Sequence, residues 1–376
     1  MEYTKEFKNL VSLVESPNIE NVMLGLQIAR NYKKEFFDYF GCKIQEMENL
    51  MNFLVKNTTW ENNTPLLETR YLSLIRGNIR QLPKEIKKLK NLEKLRLSIN
   101  KLKSIPAEIG NLKKLQILSL SDNQLKSVPA EIWELTRLEK LYLGKNQLQS
   151  IPKEIRNLTN LQVLWLGGNQ LQSIPKEIWE FKNLQVLDLS CNELQSLPKG
   201  IGKLENLKEL LFGGNGNELQ YFPTEISELT KLEKLYSGGN KLKSIPKEIG
   251  NLRELKVLHL NCNQLKNLPK EIRELENLQE LHLGNNQLQS FQKEIGELAN
   301  LGYLFLDNNE LKSIPKEIGK LKSLRNLHLD NNQLESIPTE IGKLKNLEEL
   351  DISKNKIPLQ QIEYLQKMLP NCKIIT

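Results

Sequence analysis

The chain has 376 residues, enough for two or three globular domains, and 39% of them are hydrophobic. Its four cysteines are too few for a disulfide scaffold, and no apolar stretch approaches the length that spans a membrane. The formal net charge of +7 would suit a nucleic-acid partner only if the basic residues shared one surface.

The first part of the chain, residues 1–62, carries apolar side chains at helical spacing and no repeat. The spacing predicts three or four short helices with breaks at Pro17–Asn18 and at Gly41. We expect this all-α segment to cap the apolar end of the repeats that follow, and a separate partner-binding module is the alternative. The apolar positions are Leu10, Leu13, Val14, Met23, Leu24, Ile28, Met47, Leu50, Met51 and Leu54.

From Leu92 onward the chain repeats one 23-residue pattern eleven times, L-x-x-L-x-L-x-x-N-x-L-x-x-I-P-x-x-I-x-x-L-x-x. A degenerate copy begins at Thr69 and a truncated one at Leu347. This is the leucine-rich repeat signature, and one copy cannot bury its own apolar face. We therefore expect a stacked solenoid of about 13 repeats over residues 63–357. The full copies begin at Leu92, Leu115, Leu138, Leu161, Leu184, Leu207, Leu232, Leu255, Leu278, Leu301 and Leu324.

The hydrophobic period changes within each repeat. The L-x-x-L-x-L portion alternates as a short parallel strand does, so Leu164 and Leu166 should point inward while Val163 and Trp165 point outward. The I-P-x-x-I-x-x-L portion predicts one short helical turn that starts at the proline. The fold class is therefore α/β: a right-handed horseshoe with a parallel sheet on the concave face and helical turns on the convex face.

An asparagine recurs at the same repeat position in each coil, twelve times from Asn100 to Asn355. A buried asparagine needs partners for both ends of its amide, and backbone groups of the adjacent coils are available. Residues 358–376 are predicted to form a C-terminal cap, in which Ile362, Leu365 and Met368 make a helical face.

Three departures mark irregular coils. The repeat at Leu207 is two residues longer than its neighbours, so its turn should bulge. Phe212 takes an inward leucine position, and Ser237 takes the same position in the next coil; we interpret the pair as conserving core volume. Gln292 replaces the usual proline, with no functional implication.

The location of charge argues against nucleic acid. Over the repeats from Leu92, the five outward strand positions hold nine basic and twelve acidic residues, a net charge of −3. A groove built for phosphates would be basic. The basic residues are Lys94, Arg96, Lys140, Lys145, Lys208, Lys234, Lys256, Arg325 and Lys354; the acidic ones are Glu93, Asp122, Glu139, Asp188, Glu209, Glu233, Glu280, Asp307, Asp330, Glu348, Glu349 and Asp351.

Aromatic and apolar residues are frequent at the fifth repeat position and recur at the third, and all three histidines lie at the fifth. Stacked at strand spacing they predict an exposed stripe, the usual composition of a protein-binding surface. Outward strand positions also favour Tyr, Trp and Val by propensity alone, which is the alternative explanation. The predicted partner-binding residues are Tyr142, Val163, Trp165, Val186, Leu211, Tyr236, His259, His282, Tyr303, Phe305 and His328.

A weak zinc site is the alternative chemistry of the same stripe. His259 and His282 should lie on adjacent strands, with Cys262 one step further along the first coil, and imidazole and thiolate suit zinc. Asp307 and Asp330 would suit calcium less convincingly. No other cofactor is expected, and no phosphate loop or nucleophile motif points to an enzyme.

The cysteines are predicted to be free thiols. Cys191 and Cys262 occupy one repeat position three coils apart, about 14 Å at about 4.8 Å per strand, which is too far for a disulfide. Cys42 and Cys372 fall in opposite caps.

The phrase IPKEIGKLKSLRNLHLDNNQL, residues 314–334, resembles bacterial leucine-rich repeat proteins of the 23-residue type, especially the expanded set in pathogenic spirochaetes. The resemblance covers about four-fifths of the chain. It implies a secreted or surface protein that binds a host receptor, adhesion molecule or matrix protein. No signal peptide is expected, because charged residues interrupt the start at Glu2, Lys5, Glu6 and Lys8. An intracellular, cytoplasmic scaffold or regulator of another protein is therefore the alternative.

Overall fold

The computed structural model describes residues 4–40, 43–57, 66–214 and 216–376, which fall in two compact units, Met1–Trp165 and Leu166–Thr376. The predicted boundary at residue 62 lies outside the described residues, as do Gly41 and Cys42. No helix in the described ranges is long and apolar enough to cross a membrane.

The first unit begins with four α-helices, as predicted: α1 (Lys5–Val14), α2 (Ile19–Ala29), α3 (Lys33–Phe40) and α4 (Ile44–Asn57). Asn18 caps α2 by accepting a hydrogen bond from the Glu20 backbone N–H at 2.7 Å, so the predicted break is confirmed. Helix α4 contacts the first coil through Lys88 Nζ and Glu46 Oε2, 3.0 Å apart. That hydrogen bond lowers the pKa of Glu46 below its ordinary value.

One expectation for α2 is wrong. Leu24 and Ile28 are exposed, and the buried face consists of Val22, Leu26 and Ala29. Helix α2 is apolar around most of its circumference, so spacing alone fits two different faces.

The rest of the first unit is a stack of coils, each with one strand and one 3-10 helix. The strands are β1 (Tyr71–Ser73), β2 (Lys94–Arg96), β3 (Ile117–Ser119), β4 (Lys140–Tyr142) and β5 (Val163–Trp165), paired in parallel in chain order. The 3-10 helices are Leu66–Glu68, Lys84–Lys88, Ala107–Asn111, Ala130–Glu134 and Lys153–Asn157. The helical turn in each full coil begins just after its proline, as predicted.

The second unit continues the pattern with nine parallel strands. They are β6 (Val186–Asp188), β7 (Glu209–Leu211), β8 (Lys234–Tyr236), β9 (Val257–His259), β10 (Glu280–His282), β11 (Tyr303–Phe305), β12 (Asn326–His328), β13 (Glu349–Asp351) and β14 (Lys373–Ile375). The 3-10 helices are Lys176–Glu180, Lys199–Lys203, Thr224–Glu228, Lys247–Asn251, Lys270–Glu274, Lys293–Glu297, Lys316–Lys320 and Thr339–Lys343. The leucine-rich repeat fold with an N-terminal helical segment is confirmed.

The inward leucines and the asparagines hold adjacent coils together. Leu258 and Leu260 are fully buried, while the residues between and beside them face outward. The Asn263 amide nitrogen donates to the carbonyls of Ser237 at 3.1 Å and Leu260 at 3.0 Å, and its oxygen accepts from the Leu242 N–H at 3.0 Å. The predicted role of the asparagines, pairing backbone groups of neighbouring coils, is confirmed.

The long coil at Leu207 keeps this network in spite of its insertion. Asn217 still donates to the preceding coil at Leu189 O, 3.0 Å away, and within its own coil it reaches Phe212 O at 3.0 Å. Phe212 and Ser237 are both fully buried, and the Ser237 hydroxyl donates to His259 O at 3.2 Å. Phe212 fills its side of the core against Phe222, with ring centroids 6.2 Å apart.

The C-terminal segment contains a helix and a strand. Helix α5 (Leu359–Met368) buries Leu365 as the spacing predicted, while Ile362 and Met368 are half-buried. Strand β14, which the sequence pattern did not indicate, pairs with β13 through Leu350 and Ile374 and so covers an otherwise open sheet edge.

Candidate functional site

Each strand presents its first and third residues outward, and we call these positions of β1–β13 the strand face. The alternation that buries the central leucine of each strand exposes the residues on either side of it. All the predicted partner-binding residues lie on this face. Tyr142, Val163 and Trp165 belong to the first unit, and the other eight belong to the second.

In the first unit the strand face carries an exposed aromatic pair. Trp165 is 41% exposed, and its ring lies edge-on to Tyr142 with centroids 5.2 Å apart. Burial raises the pKa of Tyr142 above its ordinary value. An edge-to-face pair of this kind offers apolar area with a hydroxyl at its border, a composition that suits a protein partner.

Tyr71 also lies on the strand face, although it is not one of the predicted partner-binding residues. Tyr71 is 42% exposed, and the Arg96 guanidinium lies over its ring, 5.6 Å from the centroid. This is cation–π geometry. Its signal was present in the sequence, because Tyr71 occupies the third position of the degenerate repeat that begins at Thr69.

In the second unit five rings on adjacent strands contact one another in a row. The order is Tyr236, His259, His282, Phe305 and His328, with successive centroid separations of 4.7, 3.8, 4.2 and 4.8 Å. We call these five residues the ring ladder. Phe305 lies between two histidines in this row, with its ring stacked on His282 and tilted by 51° to His328.

Burial keeps two histidines of the ring ladder in the neutral form. It lowers the pKa of His259 to about 4, with the neighbouring His282 as a second cause, and it also lowers the pKa of His282. Both imidazoles are therefore neutral near pH 7. Burial, with the charges of Glu209 and Glu280, raises the pKa of Tyr236. Tyr236, His259, His282 and Phe305 are therefore uncharged at neutral pH.

The remaining predicted residues border the ladder. Tyr303 lies on β11 beside Phe305 and is 37% exposed, while Val186 and Leu211 lie on β6 and β7 and are half-buried. Asp188 also lies on β6, and burial raises the pKa of its carboxyl. Two hydrogen bonds that the carboxylate accepts from Ser190 oppose this effect, one from the hydroxyl at 2.5 Å and one from the backbone N–H at 2.9 Å.

Glycine pairs in two coils open a cavity of about 310 Å³ next to the ladder. Leu211, Tyr236 and His259 form one side of it. Gly214 has a φ of +103°, and a Cβ there would collide with the Cys191 sulfur, so only glycine fits. The cavity is large enough to receive one side chain of a partner. Its other lining residues are Ser190, Cys191, Gly213, Gly214, Gly238, Gly239, Asn261 and Cys262.

Lysine and glutamate side chains form opposite-charge pairs on β7, β8 and β9, around the first two rings of the ladder. Lys256 Nζ lies 2.7 Å from Glu233 Oε2, and Lys234 Nζ lies 3.7 Å from Glu209 Oε2. The lysine contact lowers the pKa of Glu233. Such pairing leaves no continuous basic track on these strands for a phosphate backbone.

Two groups of side chains on the second unit have metal-ligand geometry. One consists of His259, Glu280 and His282, and the other of His328, Asp330 and Asp351; in each, one ligand atom per residue lies within 4.8 Å of the others. Cys262 belongs to neither group, and its sulfur is instead 3.6 Å from the Asn261 amide nitrogen. Cys191, Cys262 and Cys372 are free thiols.

Models of leucine-rich repeat regions match residues 42–164, 164–264 and 285–371, and a second leucine-rich repeat model matches residues 253–311. The chain belongs to the leucine-rich repeat family. Proteins of this family commonly serve as protein–protein interaction modules and are generally not enzymes. No curated protein sequence matches the chain.

Several solved structures of leucine-rich repeat proteins are similar to this chain. A leucine-rich repeat protein of Leptospira interrogans is 37% identical, with 82% of this chain and 96% of that chain covered and a TM-score of 0.58. The plant peptide hormone receptor RGFR1, in complex with RGF2, is 34% identical over 76% of this chain and 47% of its own, with a TM-score of 0.65.

A third similar structure is the ectodomain of the Arabidopsis thaliana receptor kinase GASSHO1/SCHENGEN3, in complex with Casparian strip integrity factor 2. It is 31% identical over 77% of this chain and 42% of its own, with a TM-score of 0.52. The chain therefore spans less than half the length of either plant receptor.

Proposed function

We propose that this leucine-rich repeat protein is a non-enzymatic binding module that takes a protein partner on its strand face. The observation that carries the proposal is the row of outward-facing rings on adjacent strands, Tyr142 with Trp165 in the first unit and the ring ladder in the second. Aromatic residues packed side by side supply large contact area at low entropy cost, which is why they dominate binding hot spots.

Two further observations support a protein partner. Lysine and glutamate side chains on the strands around Tyr236 and His259 are already paired with each other, so the rings are the unpaired feature of that part of the surface. The similar plant receptors RGFR1 and GASSHO1/SCHENGEN3 are described in complex with RGF2 and Casparian strip integrity factor 2. By analogy, the strand face of this chain is suited to an extended segment of a partner.

We further propose that the partner is a host surface protein, such as a receptor, adhesion molecule or matrix protein, and that the chain is secreted or displayed on the cell. This follows the resemblance to the 23-residue repeat proteins of pathogenic spirochaetes. The exposed thiols of Cys191 and Cys262 favour the alternative, an intracellular scaffold or regulator, because free thiols are typical of reducing compartments.

Location is tested by protease treatment of intact cells that produce the protein. Cleavage of the chain before lysis supports the surface role. Protection in intact cells together with cleavage after lysis supports the intracellular alternative, provided that the protein is also missing from the culture medium.

Binding is tested with the fluorescently labelled full chain on cultured animal cells. We expect saturable binding that falls by about thirtyfold, or about 2 kcal/mol, in Trp165→Ala and in Tyr236→Ala. Tyr221→Ala is the matched control, since Tyr221 is 80% exposed but lies off the strand face. Equal binding by the two strand-face variants and the parent, with loss in the Tyr221 variant, would place the interface elsewhere.

A further inference from the structure

Two strands of the second unit bring three metal-ligating side chains together. His259 on β9 is the register partner of His282 on β10, and their ring centroids are 3.8 Å apart. Glu280 lies two residues before His282 on the same strand, so both point to the same side. The Glu280 carboxylate oxygen lies 3.8 Å from His282 Nε2.

An unsatisfied ring nitrogen marks the same place. Among the described residues, the Nε2 atom of His259 is buried without a hydrogen-bond partner. A buried polar atom normally has a partner, and its absence is costly unless a ligand supplies the interaction.

We propose that His259, Glu280 and His282 form a binding site for a divalent transition-metal ion of the zinc class. Two imidazole nitrogens and one carboxylate oxygen are a ligand set that zinc accepts, and calcium is disfavoured because it takes oxygen ligands. The ligand set differs from the one predicted from the sequence, since Glu280 stands in place of Cys262.

The site has three protein ligands and lies on the strand face, so its remaining coordination positions are open to water. Zinc therefore binds more weakly here than in a closed four-ligand structural site and contributes little to folding. The register of β9 with β10 already places the three residues side by side, with one ligand atom of each within 4.8 Å of the others.

The neighbouring group of His328, Asp330 and Asp351 provides an internal comparison. It has two carboxylates and one imidazole, a composition that is harder and more oxygen-rich. The carboxyl of Asp330 has a raised pKa because of burial and the charges of Asp351 and Asp307. Zinc should prefer the group with two imidazoles.

Calorimetric titration of the chelator-treated full chain with zinc chloride tests the proposal. We expect one preferred site, with affinity reduced at least tenfold in His259→Ala and His282→Ala and clearly reduced in Glu280→Gln. Cys262→Ser and His328→Ala are the matched controls and should bind as the parent does. Thermal melts of each variant without metal identify any that fail to fold, and Glu280→Gln keeps the shape of the side chain.

Cobalt(II) substitution distinguishes the two ligand sets. A site of nitrogen and oxygen ligands gives no thiolate-to-cobalt charge-transfer band, whereas ligation by Cys262 would give one that disappears in Cys262→Ser. Such a band, no zinc uptake by the parent, or uptake that depends on His328 and not on His282 would overturn the proposal. Metal titration needs no partner, so its failure is separate from a failure of the proposed binding function.

Discussion

Replacing a single buried asparagine should destabilise the second unit far more than its size suggests. In Asn286→Ala the amide that donates to Leu260 O at 3.0 Å and Leu283 O at 2.9 Å is lost. The Leu265 N–H also loses its acceptor, the Asn286 oxygen at 3.0 Å. With about 1 kcal/mol for each donated bond and about 1–3 kcal/mol for the unpaired buried N–H, the expected loss is about 3–5 kcal/mol.

Asn277 provides the matched control because it is an exposed asparagine that makes one side-chain bond, to Arg253 O at 2.9 Å. Asn277→Ala should cost less than about 1 kcal/mol. Urea unfolding followed by circular dichroism gives the comparison, and amide exchange shows whether the coils on either side of Asn286 open first. If the two variants lose equal stability, the asparagine network does not hold the coils together.

Three further results follow from particular packing contacts. Gly214→Ala should destabilise the protein, because the φ of Gly214 is +103° and the added Cβ would collide with the Cys191 sulfur. Gly302→Ala is the control and should be nearly neutral, because the atom nearest to its added Cβ is Gln279 O, 3.7 Å away. Thermal melts of the two variants give the comparison. Phe212→Leu and Ser237→Leu should each destabilise, and the double variant should recover stability in a denaturant double-mutant cycle if the two share one core volume. Burial, with Glu349 as a second cause, raises the pKa of the Cys372 thiol to about 11. At pH 8 its thiolate fraction, and so its rate of alkylation, should be about a hundredfold below that of an unperturbed thiol. Mass spectrometry of timed iodoacetamide reactions measures that rate, and an ordinary rate would contradict the prediction.

The sequence predicted the strands, the helical turns and the asparagine contacts because every coil repeats the same environment. A leucine at the fourth or sixth position, such as Leu258 or Leu260, faces a neighbour built to the same pattern, so one rule explains them all. The chain ends lack this redundancy. Strand β14 follows no repeat, and α2 has apolar residues on more than one side, so its buried face depends on what packs against it.

The candidate metal ligands show the same limit on a smaller scale. Spacing along the chain placed Cys262 near His259, but residue 262 lies in the turn after β9 with a φ of +55°, and its side chain is exposed. Glu280 was found only from the register of β9 with β10 and from the two-residue alternation within β10. The ligand set is therefore decided by which side chains are neighbours on adjacent strands, and not by spacing along the chain.

The buried and the outward positions of each repeat are under different constraints, and this explains why the candidate binding residues lie on the strand face. Buried leucines and asparagines must be alike from coil to coil, since each packs against copies of itself. The outward strand positions meet solvent and one another, so they can differ freely without unfolding the stack. It is at these positions that Trp165, the ring ladder and Glu280 occur. Burial then keeps His259 and His282 uncharged beside Tyr236 and Phe305, so these four rings form an uncharged stretch of the strand face near neutral pH. The register of β9 with β10 also brings two imidazoles and the Glu280 carboxylate together, so the proposed metal site and the proposed partner surface share the same strands.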